Sequence, residues 1–344
     1  MVLHKSNMSN KKKVVIILGP NASGKSNLGV FLAKKVNGEI ISADSRQVYK
    51  NLDVGSGKIT KKEMRGVPHH CLDIVNPEKI FTAHDFKNCA QKAIEKIWKK
   101  NKIPIIVGGT GFYIDAAVGM VNLSNVPPNP KLRKQLQKLS TTRLFNLLKK
   151  LDSKRAKNID GNNRVRLIRA IEVAQDRHIL SQTDNSSAPA TADYLHSRPE
   201  NPAPHLKFYL VGGDQAFQDC ESSSKIYDAL SQTNILWLGI KRSPENLKKR
   251  IHKRLIKRIP GIIKEVKKLK KQGLTWKRLF DLGLEYRYVS LYLREKLNKD
   301  EIKKKLESEI NKYAKRQMTY FKRNKEIKWI SVEKIKKYGL STLQ

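Results

Sequence analysis

The chain has 344 residues, with 70 Lys+Arg against 31 Asp+Glu and a formal net charge of +39. That length buries a full core, in two domains or in one with a large insertion, and the charge points to a polyanionic partner, nucleic acid first, with solvated lysine-rich helix faces as the alternative. Composition speaks against a membrane span or a disulfide-stapled secreted domain: no apolar run nears the ~20 residues of a span, and Cys71, Cys89 and Cys220 have no spacing that reads as a disulfide framework or zinc site.

The first 13 residues read as a loose basic tail without a secretory signal, so a soluble, cytoplasmic protein with reduced thiols is expected. The apolar run Val14 to Leu18 predicts a strand, and Asn27 to Lys35 a helix. Between them lies Gly19-Pro20-Asn21-Ala22-Ser23-Gly24-Lys25-Ser26. Strand, glycine-bearing loop, lysine-serine and helix stand in the order a phosphate cradle requires. The glycines let the backbone turn amides inward, Lys25 reaches phosphate oxygens, and Ser26 can hold Mg2+.

Glu39 to Asp44 predicts a second strand ending in a carboxylate, followed by Ser45-Arg46-Gln47. In an open parallel sheet the carboxyl ends of strands face the ligand crevice, which puts Asp44 on the rim of the phosphate loop; a plain helix cap is the alternative. Residues 52–73 are irregular. Adjacent His69 and His70 lack a partner at ligand spacing and are expected to be structural or to line the substrate, not to bind metal. An amphipathic helix is predicted over 81–100, with Phe86, Ala90, Ile94, Ile97 and Trp98 as its apolar stripe. Pro104 to Val107 is a third buried strand, ending in Gly108-Gly109-Thr110-Gly111 before a helix over 112–118, so Thr110 reaches the same crevice.

Together, the phosphate loop, Ile-Ser-Ala-Asp-Ser-Arg-Gln-Val-Tyr-Lys (41–50), Pro-His-His-Cys-Leu-Asp (68–73) and Ile-Val-Gly-Gly-Thr-Gly-Phe-Tyr (106–113) resemble the tRNA dimethylallyltransferases, also called the IPP transferase family. The resemblance continues through 163–172, 250–254, 283–287 and 314–319. It implies transfer of a dimethylallyl group from dimethylallyl diphosphate to the exocyclic amine of the adenosine 3′ of a tRNA anticodon, with the phosphate loop holding the leaving diphosphate. Under it, Asp44 accepts a hydrogen bond or proton from the amine, Thr110 holds the reacting centre, and Arg254 joins Lys25 on the diphosphate. tRNA contact falls to Asp44, Ser45, Arg46, Gln47, Thr110, Arg133, Val165, Arg166, Leu167, Ile168 and Arg169, and to Leu282, Gly283, Leu284, Glu285, Tyr286 and Arg287.

Pro127 to Pro130 marks a boundary, followed by basic helical stretches over 131–150 and 153–176. Residues 181–234 are less basic, depart from the family pattern and are expected to be mobile, with a short strand possible at 208–211. Ile235 to Ile240 resumes the sheet, and Ser243-Pro244-Glu245 starts a helix over 246–258. The expected architecture is α/β: a P-loop NTPase-like parallel sheet flanked by helices in 14–126 and 235–344, with a helical tRNA-binding insertion at 127–180. A monomer acting on an anticodon stem-loop is expected. An adenylate isopentenyltransferase, a small-molecule P-loop kinase and a non-catalytic RNA-binding protein are the alternatives.

Overall fold

The structure, a computed structural model, describes residues 12–121, 123–124, 126–183, 230 and 233–331. It divides the chain into two compact units, residues 1–122 with 212–344, and residues 123–211. The strand expected at 208–211 and most of the 181–234 insertion lie outside the described residues.

The first unit is built on β1 (Lys13–Leu18), β2 (Gly38–Ala43), β3 (His69–His70), β4 (Ile103–Gly108), β5 (Asn234–Ile240) and β6 (Lys328–Ile330), ordered β3-β2-β4-β1-β5-β6. Each pairing is parallel. Lys13, expected in the N-terminal tail, is already the first residue of β1. Successive strand side chains point to opposite faces, and here both faces are apolar. Val14, Ile16 and Leu18 enter one core with Phe86, Ala90, Ile94 and Ile97 of α3 (Ala83–Lys99), whereas Val15 and Ile17 enter the other with Leu28, Val30 and Leu32 of α1 (Lys25–Lys35). This two-sided burial is what permits an all-parallel sheet.

The short helix α2 (Lys61–Met64) lies between β2 and β3, and α4 (Gly111–Ala117) follows β4. In the second unit α5 (Pro130–Leu136), α6 (Thr141–Leu151), α7 (Ser153–Lys157) and α8 (Arg164–Thr183) enclose their own core of Leu136, Leu144, Leu148, Ala156, Leu167, Ile168 and Ile171. The single stretch expected over 131–150 breaks before Thr141, where the Ser140 hydroxyl caps α6 by accepting from the Arg143 amide at 3.2 Å.

The chain after β5 is helical: α9 (Pro244–Lys271), α10 (Trp276–Asp281), α11 (Leu284–Leu293) and α12 (Lys299–Phe321). Ser243 caps α9 and Pro244 occupies its first position. The helix then runs through Pro260 to Lys271, well past the expected end at 258. Its apolar Ile251, Leu255 and Ile259 pack against Leu306, Ile310 and Ala314 of α12.

One expectation is corrected. Cys71 and Cys89 are paired as a disulfide between the β3 exit and α3, with their Cα atoms 6.2 Å apart, although neither their spacing nor their local sequence resembles a disulfide framework. The fold, not the spacing, brings them together.

Glu39 is a fully buried carboxylate at the start of β2. It is ringed by His70 Nε2 at 2.7 Å and by Lys100 and Lys102 Nζ at 3.0 Å each. Burial alone would raise its pKa, but the bonds from His70, Lys102 and Lys100 outweigh that and bring it down to about 2. With the folded pKa below the unfolded one, this carboxylate stabilises the fold fully above about pH 4.5 and loses that contribution as pH falls towards 2. The contribution is on the order of 3 kcal/mol. Thermal melts across this window are expected to show an acid loss of stability that is smaller in Glu39→Gln, and an equal loss in both proteins would remove Glu39 from the account.

Candidate active site at the phosphate loop

Gly24 takes a left-handed φ of 104° and ends the turn that launches α1. The outward carbonyls of the loop are held by cations: Lys25 Nζ donates to Pro20 O at 3.0 Å, Arg250 Nε to Ala22 O at 2.7 Å and Arg242 Nε to Ser23 O at 2.7 Å. The first amides of α1 remain open, as at any helix N-terminus, and form a site for anionic oxygens. Among the described residues, none is a hydrogen-bond partner of the buried Ser23 hydroxyl. Burial lowers the Lys25 pKa to about 8, with Asp44 pulling it up and Arg254 pushing it down.

A cleft beside the loop, open to solvent, is lined by Asn21, Lys25, Ser26, Asp44, Gln47 and Arg254 together with Ile40, Ile59, Val107 and His69. Two cations, a carboxylate, several neutral polar groups and a few aliphatic side chains thus line one cleft. Ser26, exposed at the start of α1, faces it, and among the described residues no cluster of histidine, cysteine or carboxylate side chains offers a separate metal site. The donor set fits Mg2+, which binds through few protein oxygens and keeps ligand phosphates and water.

Asp44 follows β2 directly and is half-buried. Its Oδ1 accepts the amides of Arg46 at 2.9 Å and Gln47 at 3.3 Å, a local cap, while among the described residues no hydrogen bond engages Oδ2. Both roles weighed for this residue are therefore compatible. Thr110, capping α4, has its amide on Ala43 O at 3.2 Å and accepts the Ser45 amide on Oγ1 at 3.2 Å, which ties the ends of β2 and β4 together. Gln47 Nε2 reaches Gly57 O at 3.4 Å.

Arg250, Arg254 and Arg258 stand at successive turns of α9. Arg254 donates to Gly57 O at 3.3 Å, and Arg258 holds the carbonyls of Val54 and Gly55. Glu265, two turns beyond Arg258, accepts the amides of Asp53, Val54 and Gly55 at 2.6–2.9 Å and the Tyr286 hydroxyl at 2.8 Å. The irregular loop 52–57 is thus fastened on both its carbonyls and its amides. Burial lowers the Arg254 pKa, with Arg258 adding to the effect, and burial raises that of Glu285.

Of the residues expected to meet tRNA in this unit, Leu282 and Tyr286 are buried, and Glu285 lies 3.9 Å from Arg258. Gly283 turns the chain at φ 76° before α11, Leu284 starts that helix, and Arg287 stacks on the Phe280 ring. In the second unit Leu167 and Ile168 are core residues, whereas Val165, 78% exposed, and Arg166 face solvent. Arg133 and Arg169 close on buried Glu172: Arg133 is bidentate at 2.9 and 2.8 Å, and Arg169 sits at 2.5 Å while also donating to Val126 O. Sequence reasoning did not single out Gln317, Tyr313, Glu265 or Arg258. For the first two, the signal was their i,i+4 spacing in and beside the 314–319 segment.

Comparison with known proteins matches this arrangement. The family described as IPP transferase matches residues 47–324. The tRNA dimethylallyltransferase 2 of Treponema denticola is 36% identical over 329 residues, covering 94% of this chain and 97% of that one. The tRNA dimethylallyltransferase 1 of Geotalea uraniireducens is 35% identical over 311 residues, covering 90% and 88%. Among solved structures, the full-length tRNA isopentenylpyrophosphate transferase of Bacillus halodurans is 30% identical with a TM-score of 0.61 over 93% of this chain and 90% of that one. A eukaryotic dimethylallyltransferase acting on tRNA shares the fold, with a TM-score of 0.70 at 23% identity over 97% and 78%. The phosphate cradle, the carboxylate beside it and the helical second unit therefore sit in a chain that belongs to the IPP transferase family.

Proposed function

We propose that this protein transfers a dimethylallyl group from dimethylallyl diphosphate to the exocyclic amine of the adenosine 3′ of a tRNA anticodon. The observation that carries the reading is one cleft lined by Lys25, Arg254 and Asp44 that also takes in the aliphatic side chains of Ile40, Ile59 and Val107. A donor with a diphosphate head and a short hydrocarbon tail suits such a cleft better than the ribose and purine of a kinase substrate. The named relatives favour the same reading.

In the reaction the amine nitrogen attacks the allylic carbon, a C–N bond forms, and the C–O bond to the diphosphate breaks. Negative charge grows on the leaving oxygens, where Lys25, Arg254 and the amides of the Gly19 to Ser26 loop stabilise it in a partly dry site. Mg2+ held by Ser26 would add charge stabilisation on the same oxygens. Asp44 takes the amine proton on Oδ2, because Oδ1 is committed to the backbone. Thr110 and Ser45 hold that carboxylate's loop in place, and the base leaves its stack to reach it.

The second unit serves as the RNA-handling insertion. Val165 and Arg166 reach the RNA directly, and Leu167, Ile168, Arg133 and Arg169 shape the helix that presents them. In the first unit, 44–47 and the accessible Gly283, Leu284 and Arg287 meet the anticodon loop, while buried Leu282 and Tyr286 anchor that segment from beneath. The protein acts as a monomer in this reading, and a tRNA substrate supports a cytoplasmic site of action.

Incubating the protein and an anticodon stem-loop with Mg2+ and either dimethylallyl diphosphate or ATP, then weighing the RNA, is expected to show a prenyl mass gain with the first donor and no phosphoryl gain with the second. The reverse pattern would mark a kinase.

Lys25→Ala is expected to slow single-turnover transfer strongly while RNA affinity stays near wild type. Unchanged turnover at saturating donor would remove the loop from the chemistry.

Asp44→Asn keeps the cap through the amide oxygen and loses the charged acceptor, so a drop of about 10²–10⁴ in rate is expected with the melting temperature unchanged. A folded variant with the wild-type rate overturns the assignment.

RNA affinity should fall with salt along a log–log slope of about −0.7 to −0.9 per neutralised phosphate. A flat response would show the +39 surface to be solvated only.

A further inference from the structure

The two loops that carry opposite halves of this reaction leave neighbouring strands. Residues 19–26 follow β1 and residues 109–111 follow β4, with Leu18 and Gly108 as register partners. Beyond that pair the strands end, and among the described residues no backbone hydrogen bond joins the two loops. The relative position of donor and acceptor is then open to the play of two turns unless a side chain spans them.

Gln317 of α12 spans them. It is 5% exposed; its Oε1 accepts the Asn21 amide at 2.9 Å and its Nε2 donates to Gly109 O at 2.8 Å. Gly109 has no side chain where Gln317 lies: a Cβ there would collide with Nε2 and stand 3.5 Å from Lys25 Nζ. One turn earlier on the same helix, Tyr313 stands beside the Thr110 side chain, and Thr110 holds the Ser45 amide next to Asp44. An unbroken chain of bonds thus runs from the phosphate loop through Gln317 and Gly109 to Thr110 and the acceptor carboxylate's turn.

We propose that Gln317 is a positioning residue that locks the donor's phosphate cradle against the Gly109 and Thr110 loop and carries the effect of phosphate binding from one to the other. The role demands a carboxamide of this length. It offers one donor and one acceptor at fixed spacing; asparagine is a methylene short, methionine has the reach with neither bond, and an ionised glutamate lacks the donor. The inference rests on the prenyl-transfer reading for its effect on rate but not for its effect on loop coupling.

Two measurements test it. In hydrogen exchange, inorganic diphosphate with Mg2+ is expected to protect the 105–118 segment as well as the phosphate loop in the wild type. In Gln317→Met only the phosphate loop gains protection. In single-turnover transfer, Gln317→Met is expected to lose about 10–100-fold in rate, the cost of misplacing reacting groups by up to ~1 Å, with donor and RNA affinities within a few-fold of wild type. In Gln317→Glu the ionised carboxylate keeps the acceptor and lacks the donor to Gly109 O, so its rate is also expected to fall. Protection of 105–118 that persists in folded Gln317→Met, or a wild-type rate in that variant, overturns the proposal. A wild type that makes no prenylated RNA yet shows the Gln317-dependent protection upholds the proposal and instead refutes the assigned reaction.

Discussion

Parallel pairing of β1, β2 and β4 is the constraint from which the site follows. Because the three strands run the same way and adjoin in the sheet, each must end at the same edge, and each exit there carries one group to which the proposal gives a role: Lys25 after β1, Asp44 after β2 and Thr110 after β4. The arrangement costs nothing in local strain beyond the glycines and the left-handed residues that turn the loops. It does require that both faces of the sheet be covered, and the alternating apolar residues of β1 feeding two separate cores meet that requirement. The chemistry is thus placed by the sheet, and the helices that cover it supply the second layer of contacts.

Cations do two different tasks at this edge. Arg242, Arg250 and Arg258 take backbone carbonyls and fix the shape of loops, whereas Lys25 and Arg254 each take one carbonyl and also line the cleft itself. Burial lowers the pKa of both lining cations. A desolvated cation gains more from an arriving anion than a solvated one, since the interaction strengthens as the local dielectric falls. The carboxylates divide similarly. Glu39, Glu172 and Glu265 are consumed by neighbouring donors, and Asp44 retains an oxygen for other use. A residue's sign alone does not reveal its task, and its hydrogen-bond partners do.

The same distinction tempers the meaning of the net charge. Arg133 and Arg169 are spent on Glu172, which also accepts the Asn129 amide at 2.6 Å and so pins the start of α5 to α8. A helix rich in arginine therefore presents only part of its positive charge to solvent. The exposed Val165 and Arg166 remain on its outer side.

The sequence by itself determined the order of strand, phosphate loop and helix, the strands carrying Asp44 and Thr110, and the family, because these depend on local spacing: apolar runs with period two, glycines where the backbone must turn, and short motifs in fixed order. It also placed the cap and first turn of α9 through Ser243 and Pro244. It did not reveal that α9 continues through Pro260, that the 131–150 stretch breaks at Ser140, or that Leu167 and Ile168 point inward, since helix ends and buried faces are settled by packing. Cys71 with Cys89, Glu39 with Lys100 and Lys102, and Gln317 with Asn21 and Gly109 lie 18, 61, 63, 296 and 208 residues apart. No local pattern encodes contacts of that range. They exist because parallel strands bring distant turns to one edge, and only the folded chain decides which side chain fills the space between them.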